Sequence, residues 1–338
     1  ARLFRVPRLT RAERQRSLGT GRAVPRTSPG EGTVSLDVTI LDARMRDLVL
    51  PIARLERLST GHLWAEGPVW NVAGGFLLWS DIPQNRTYQW VPDLGVRVFS
   101  HDSNYANGQT MDAEGRRIVC EHLTRSVVRF GHSGKREVLA DSHDGRPLNA
   151  PNDVVVAADG AVWFTDPTYG ILSDYEGRRA TPEQSGCHVY RIDYPSGAVQ
   201  ARITTMQKPN GLAFSPAGDL LYVADSSASH DAAGHRHVMA FPVGPDSSVG
   251  AGHVLAEVSQ GVPDGLRVDE FGNLWVSSAR GVEVFAPDGT ALGVLNLPEP
   301  AANLCFGGPK GNRLFITASS SVYAVYTAVC GAGRIGRI

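Results

Sequence analysis

NDVVVAADGAVWFTDP (152–167) and NGLAFSPAGDLLYVADS (210–226) follow one plan: a polar residue, an apolar run, a glycine, then a second apolar run closing on Asp. Four more segments share it up to the closing residue: EGPVWNVAGGFLLWSD (66–81), NGQTMDAEGRRIVCEH (107–122), DGLRVDEFGNLWVSS (264–278) and NLCFGGPKGNRLFITAS (303–319). Eight residues past each start stands a glycine: Gly74, Gly115, Gly160, Gly218, Gly272 and Gly311. Eleven residues past it the side chain is apolar: Leu77, Ile118, Trp163, Leu221, Trp275 and Leu314. The pattern reads as strand, tight turn, strand, with glycine supplying the positive φ that the turn requires. A third strand-like run follows each hairpin, at 86–91, 125–130, 188–193, 237–242, 281–286 and 321–327. Units of this length repeating at 39 to 58 residues predict an all-β fold, a six-bladed β-propeller. Two stacked β domains would not explain one register running throughout.

A closed ring needs its ends joined. The last unit shows three strands, and ARLERLST (53–60) precedes blade 1 without a blade of its own. It is expected to supply the outer strand of blade 6, bringing residues near 55 and 325 together. Residues 35–62 thus hold a lead-in, packed on the outside, and the closing strand, within a propeller spanning 35–330. Residues 1–30 carry eight Arg and one Glu, a net +7, leaving −8 on the remaining residues of a chain whose formal charge is −1. Residues 1–34 read as a mobile Arg-rich extension and 331–338 as a tail.

The chain has 338 residues, 42% hydrophobic and 20% charged, a composition able to build a large core. Near-zero net charge argues against nucleic acid as a partner, and no apolar run is long enough for a membrane helix. The expected partner is a small molecule, the expected state monomer or dimer, the expected compartment the cytoplasm, with the periplasm as alternative. The four cysteines, 120, 187, 305 and 330, form no C-x-x-C pair, and Cys120 and Cys305 read as buried thiols.

In a propeller the innermost strands line the channel, so the six starting residues form a ring at one mouth: Glu66, Asn107, Asn152, Asn210, Asp264 and Asn303. Two carboxylates and four amides make a set of hard oxygen donors, suited to Ca²⁺ or a similar divalent ion. Asn-Gly and Asp-Gly are common turn formers, so Asn107, Asn210 and Asp264 taken singly read as caps at strand starts. Glu66 does not fit that reading, because Glu is a poor turn residue. The second strands return to the same rim with Asp81, His122, Asp166, Asp225 and Ser278, and Asp153 adds an acid beside Asn152. Taken singly, Asp81, Asp166 and Asp225 read as strand-end turns. The longest insertions, 167–187 and 226–237, carry Tyr169, Tyr175, His230, His235 and His237. The three histidines resemble a metal cluster by count but read as solvated loop residues. G-x-S-x-G, P-loop and H-E-x-x-H motifs do not occur.

WAEGPVW (64–70), NAPNDVVVAADGAVWFTDPTYG (149–170), KPNGLAFSP (208–216) and PDGLRVDEFGNLWVSS (263–278) resemble the SMP-30/gluconolactonase/luciferin-regenerating family. NLCFGGPKGNRLFIT (303–317) is similar to its bacterial gluconolactonase branch, and the likeness spans about 36–328. The resemblance implies a six-bladed propeller with a divalent cation in the channel mouth, Ca²⁺ first, with Zn²⁺ or Mn²⁺ possible. It places metal ligands at Glu66, Asn152, Asn210 and Asp264, with Asn152 also touching substrate and Asp264 as general base. Asn107, His122 and Tyr169 are further candidate substrate contacts. The implied activity is hydrolysis of a sugar lactone to its aldonic acid. The alternatives are a non-catalytic binding scaffold, or a metal-dependent esterase or other-lactone hydrolase on the same site.

Overall fold

A computed structural model of the chain describes residues 32–333. Six antiparallel sheets are arranged as blades. Blade 1 comprises Ala65–Asn71, Phe76–Asp81, Arg86–Val91 and Gly95–His101. Blades 2, 3 and 4 repeat this order, with innermost strands Ala106–Met111, Val154–Val156 and Pro209–Phe214. Blade 5 begins at Leu266–Val268 and blade 6 at Ala301–Gly307. Each blade is sandwiched between two others, so both faces of its inner strands are buried. That is why LLW (77–79), VWF (162–164) and LFI (314–316) are continuous apolar runs rather than alternating ones. The core lies between blades. Leu77 and Trp79 of blade 1 pack with Phe315 and Val322 of blade 6, and Val154 and Phe164 of blade 3 with Ile118 and Cys120 of blade 2.

The ring closes as expected. Arg54–Thr60 pairs with Ser321–Tyr326, with Glu56 opposite Ala324 and Thr60 opposite Ser321. The Arg313 guanidinium binds Glu56 across this seam. The lead-in does more than cover the outside. Asp37–Ile40 is a fifth strand of blade 5, pairing with Ala291–Asn296, and Thr33–Ser35 is a fifth strand of blade 6, pairing with residues 54–56. Residues 33–40 therefore staple two blades, with Met45 of the short helix Met45–Leu48 fully buried between them. Thr33 and Val34, assigned from sequence to the extension, lie in that outermost strand. Its side chains are exposed and its contacts are backbone ones, so no apolar pattern marks it. Of the expected Arg-rich extension Gly32 is also described, as an exposed turn, while residues 1–31, and residues 334–338 of the expected tail, lie outside the described residues.

Five of the six repeat glycines have positive φ, from +70° at Gly311 to +87° at Gly272. Gly74 does not. Its N–H donates to Asn71 Oδ1, the hairpin is one residue longer, and Gly75 takes the positive φ.

Candidate functional site

At the channel mouth the sheet ladders break. Register slips between Glu66 and Val69, Ala106 and Gln109, Pro209 and Leu212, and Ala301 and Asn303. Bulges of this kind re-aim a side chain. In blades 3 and 5 the ring residue precedes the strand and is tied to the second one: Asn152 N–H donates to Thr165 O at 2.8 Å, and Asp264 N–H to Ser277 O at 3.1 Å.

The glycines that follow the ring residues explain the dipeptides. A Cβ on Gly67 would strike the Asn107 carbonyl, one on Gly108 the Asn152 carbonyl, and one on Gly211 the Asp264 carbonyl. Gly108 and Gly211 use that closeness to donate to the same two carbonyls, at 2.8 and 3.1 Å. Asn107-Gly108, Asn210-Gly211 and Asp264-Gly265 are therefore not turns, as their composition suggests. They are points where neighbouring blades meet backbone to backbone.

Glu66, Asn107, Asn152, Asn210 and Asp264 line one cavity of about 450 Å³. Trp64, Ile82, Leu172 and Val262 give it an apolar wall, and Tyr169, Tyr175, Glu176 and His230 enter from the two insertions. The sixth ring residue, Asn303, does not line it. Its Nδ2 donates to Glu66 Oε2 at 3.1 Å, and Gly67 N–H donates to the same oxygen at 2.6 Å, fixing that carboxylate. His122 stands behind the wall. Its Nδ1–H donates to the Glu176 carbonyl at 2.9 Å, so Nε2 accepts from Asn107 Nδ2 at 3.3 Å. Burial holds the His122 imidazole down to about 4, keeping it neutral. Asn107 Oδ1 is left buried without a hydrogen-bond partner. The Tyr169 hydroxyl bridges to the Ser226 carbonyl and Ser229 Oγ at 3.3 and 3.2 Å, joining the insertions.

The cavity is acidic. Burial first, then the Asp153 and Glu176 charges, raise Glu66 from its ordinary 4.5 to about 8, against the Gly67 and Asn303 hydrogen bonds. Asp264 opens partly onto the cavity, yet protein atoms crowd its carboxyl. That burial, then Glu66, Asp153 and Glu176, pushes it well above the carboxylate range, while the Asn210 amide pulls the other way. Burial raises Glu176 to about 7. Beneath the mouth Asp153 pairs with Arg267 at 3.3 Å. Carboxyls buried this close together keep protons unless an opposite charge is brought to them. The all-oxygen donor set fits a hard divalent cation.

Asp81, Asp166 and Asp225 do not face the cavity. Each accepts the two backbone N–H groups just ahead of its own innermost strand: Leu63 and Trp64, Asn149 and Ala150, and Gln207 and Lys208. Ser278 instead donates to Glu283. His235 and His237, expected to be solvated, lie with Asp225 so that one ligand atom from each falls within 4.8 Å of the others.

Sequence reasoning missed Glu176. It sits outside the repeat register, and its position depends on two glycines. Gly170 leaves room for the His122 ring and Gly177 for the Gly170 carbonyl, so the loop folds tightly over His122. The only sequence signal was an acid between Tyr175 and Gly177 in a long insertion.

The family model described as SMP-30/Gluconolactonase/LRE-like region matches residues 64–320. The chain is 32% identical over 337 residues to a gluconolactonase of Zymomonas mobilis, covering 92% of each. It is 26% identical over 271 residues to the pentonolactonase XacC of Haloferax volcanii, covering 78% of this chain and 84% of that one. A solved gluconolactonase from Xanthomonas campestris superposes with a TM-score of 0.81 at 34% identity, covering 91% of this chain and 99% of that one. Among the described residues no helix is long and apolar enough to cross a membrane.

Proposed function

The chain belongs to the SMP-30/gluconolactonase/LRE-like family, and on that premise we propose that it is a lactonase that opens a sugar lactone to the aldonic acid with the help of a divalent cation. The observation that carries this reading is the donor set: five oxygen-bearing ring residues on one cavity of about 450 Å³. Held by Glu66, Asn152, Asn210 and Asp264, the cation, Ca²⁺ first among the candidates, would supply Lewis-acid polarisation of the lactone carbonyl.

The chain's own groups supply the rest. Water attacks the carbonyl carbon and gives its proton to Asp264. The ring C–O bond breaks, and the leaving oxygen takes that proton, so no net proton is consumed at the site. Asp264 is a weak base once the site's charge is balanced, so the transfer depends on a water within hydrogen-bond reach. Asn107 Oδ1, buried and without a partner, accepts from a sugar hydroxyl, and neutral His122 holds that amide in orientation. Asn152 and Tyr169 serve as further hydroxyl contacts on the cavity wall. Trp64, Ile82 and Leu172 seat the carbon face and exclude bulk water.

Replacing Asp264 by Ala is expected to abolish hydrolysis of an aldonolactone while circular dichroism and Tm show a folded protein. Full activity in that variant would overturn the assignment. Likeness to a pentonolactonase favours a five-carbon lactone as a second reading. The ratio of kcat/KM for pentono- and gluconolactones decides between them.

A further inference from the structure

We propose that Asp225, His235 and His237 form a second cation site, for a transition ion of the Zn²⁺ class, which clamps the 226–237 loop against the wall of the cavity.

The three residues lie outside the channel mouth and none lines the cavity. Asp225 and His237 are directly opposite on paired strands, and His235 is two residues earlier on the segment leading into the same strand. The imidazoles of His235 and His237 stack with centroids 4.5 Å apart and planes 22° apart. His235 Nδ1 is 3.4 Å from Asp225 Oδ2. One ligand atom from each residue falls within 4.8 Å of the others. A tetrahedral ion with bonds of about 2.0–2.1 Å spaces its ligand atoms about 3.4 Å apart. One edge is therefore already at that spacing, and the other two lie within 4.8 Å, so binding needs a small inward adjustment of the His237 side chain.

Two ligands are fixed in advance. The Asp225 carboxylate accepts from the N–H groups of Gln207, Lys208 and Ser227, which hold it rigid and leave Oδ2 capacity for a ligand bond. His235 is anchored through its backbone: its N–H donates to Ser227 Oγ at 2.7 Å, and its carbonyl accepts from Ala228 at 3.0 Å. Such outer contacts are what orient metal ligands. The His235 side chain is 42% exposed, so an ion has a path in.

Comparison between blades sharpens the case. Asp81, Asp166 and Asp225 hold equivalent places, but the residue opposite is Arg86 in blade 1, His188 in blade 3 and His237 in blade 4. In blade 1 the one imidazole on Asp81, His62, is buried and satisfied on both nitrogens, by Ser59 Oγ at 2.8 Å and Asp81 Oδ2 at 3.2 Å. Among the described residues only blade 4 brings ligand atoms of two imidazoles and a carboxylate within 4.8 Å of one another. Two nitrogens and one oxygen select a softer ion than the all-oxygen channel mouth does. The two sites therefore differ in the ion they prefer. The loop so clamped carries Ser226, Ser229 and His230 on the cavity wall, and its Ser226 and Ser229 hold the Tyr169 hydroxyl.

The test is Zn²⁺ titration by calorimetry of the full chain with Ca²⁺ in excess, repeated with Co²⁺ and followed by visible absorption. The wild type is expected to take one Zn²⁺ beyond Ca²⁺ and to develop a Co²⁺ ligand-field band. His235→Ala and His237→Ala should each weaken Zn²⁺ by more than the ~10–100-fold that losing an outer partner costs, and abolish the band. His230→Ala should retain both. Asp225→Asn is uninformative, because it also disturbs three backbone contacts. The proposal is overturned if the wild type takes no extra ion, or if His235→Ala and His237→Ala bind Zn²⁺ as the wild type does. Neither result bears on lactone hydrolysis at the channel mouth.

Discussion

The axial ring and the two long insertions meet at one cavity but are built by opposite means. The ring residues Glu66, Asn107, Asn152, Asn210 and Asp264 are placed by a repeated register, by bulges and by glycines that let blades touch. The insertions place Tyr169, Glu176 and His230 by contacts that occur once: the Tyr169 bridge to Ser226, and the Glu176 carbonyl on His122. A repeat supplies symmetrically arranged donors, and non-repeated loops supply the asymmetry that a substrate sees. Changes in the ring should therefore damage turnover or folding, and changes in the insertions should shift substrate preference.

The largest effect is expected at the ring. Glu66→Gln removes a charge from the donor set while its shape is kept. Losing Lewis-acid assistance worth several kcal/mol lowers kcat on the order of 10³-fold. Steady-state kinetics on an aldonolactone measure it, and a loss of less than tenfold would break the distinction between ring and loops.

Next is the backbone contact between blades. Gly67→Ala puts a Cβ into the Asn107 carbonyl at a residue whose φ is +48°, and should cost about 3 kcal/mol or more. Gly115→Ala, in the exposed hairpin turn after blade 2's innermost strand at φ +75°, should cost about 1–2 kcal/mol. Urea denaturation of both variants compares a blade–blade contact with an exposed turn, and equal losses would contradict the close-approach reading.

The raised carboxyls give a pH dependence of known sign. With Glu66 at about 8 and Glu176 at about 7, the cation-free folded protein binds more protons than the unfolded chain above the ordinary carboxylate range. That contribution to stability is full in acid and is lost as pH rises through about 8. The Tm of chelated protein should fall across this window, and Glu66→Gln should flatten the fall. Cation affinity should rise over the same window, since the ion competes with protons. A Tm unaffected by Glu66→Gln at every pH would contradict the assignment.

The smallest effect is in the insertion. Glu176→Gln should change KM and the ratio between five- and six-carbon lactones severalfold, with kcat falling by far less than the ~10²–10⁴-fold that losing an acid–base group costs.

How far the sequence reached follows the same division. The repeat glycines and the apolar residues at fixed offset gave blade number and the ring residues, because each unit solves the same turn and burial problem, and the strand missing from the last unit pointed to ring closure by 53–60, observed at Arg54–Thr60. What escaped lacked that redundancy. Thr33–Ser35 and Asp37–Ile40 join their blades through backbone hydrogen bonds, which leave no apolar pattern. Gly108, Gly211 and Gly265 looked like halves of turns, because a glycine needed for close approach and one needed for φ are the same letter. His122 read as a substrate contact, but its ring lies behind Asn107, and only three-dimensional packing against Gly170 shows that. Asp225, His235 and His237 were each visible, yet their convergence depends on strand pairing across an insertion.

The central claim is that the channel mouth needs a divalent cation to open a lactone. The most direct measurement follows lactone hydrolysis by metal-stripped protein during titration with Ca²⁺, with bound metal counted by elemental analysis. The account predicts negligible hydrolysis without metal and full recovery at one equivalent in the channel. Full hydrolysis by protein shown to contain no metal would contradict it.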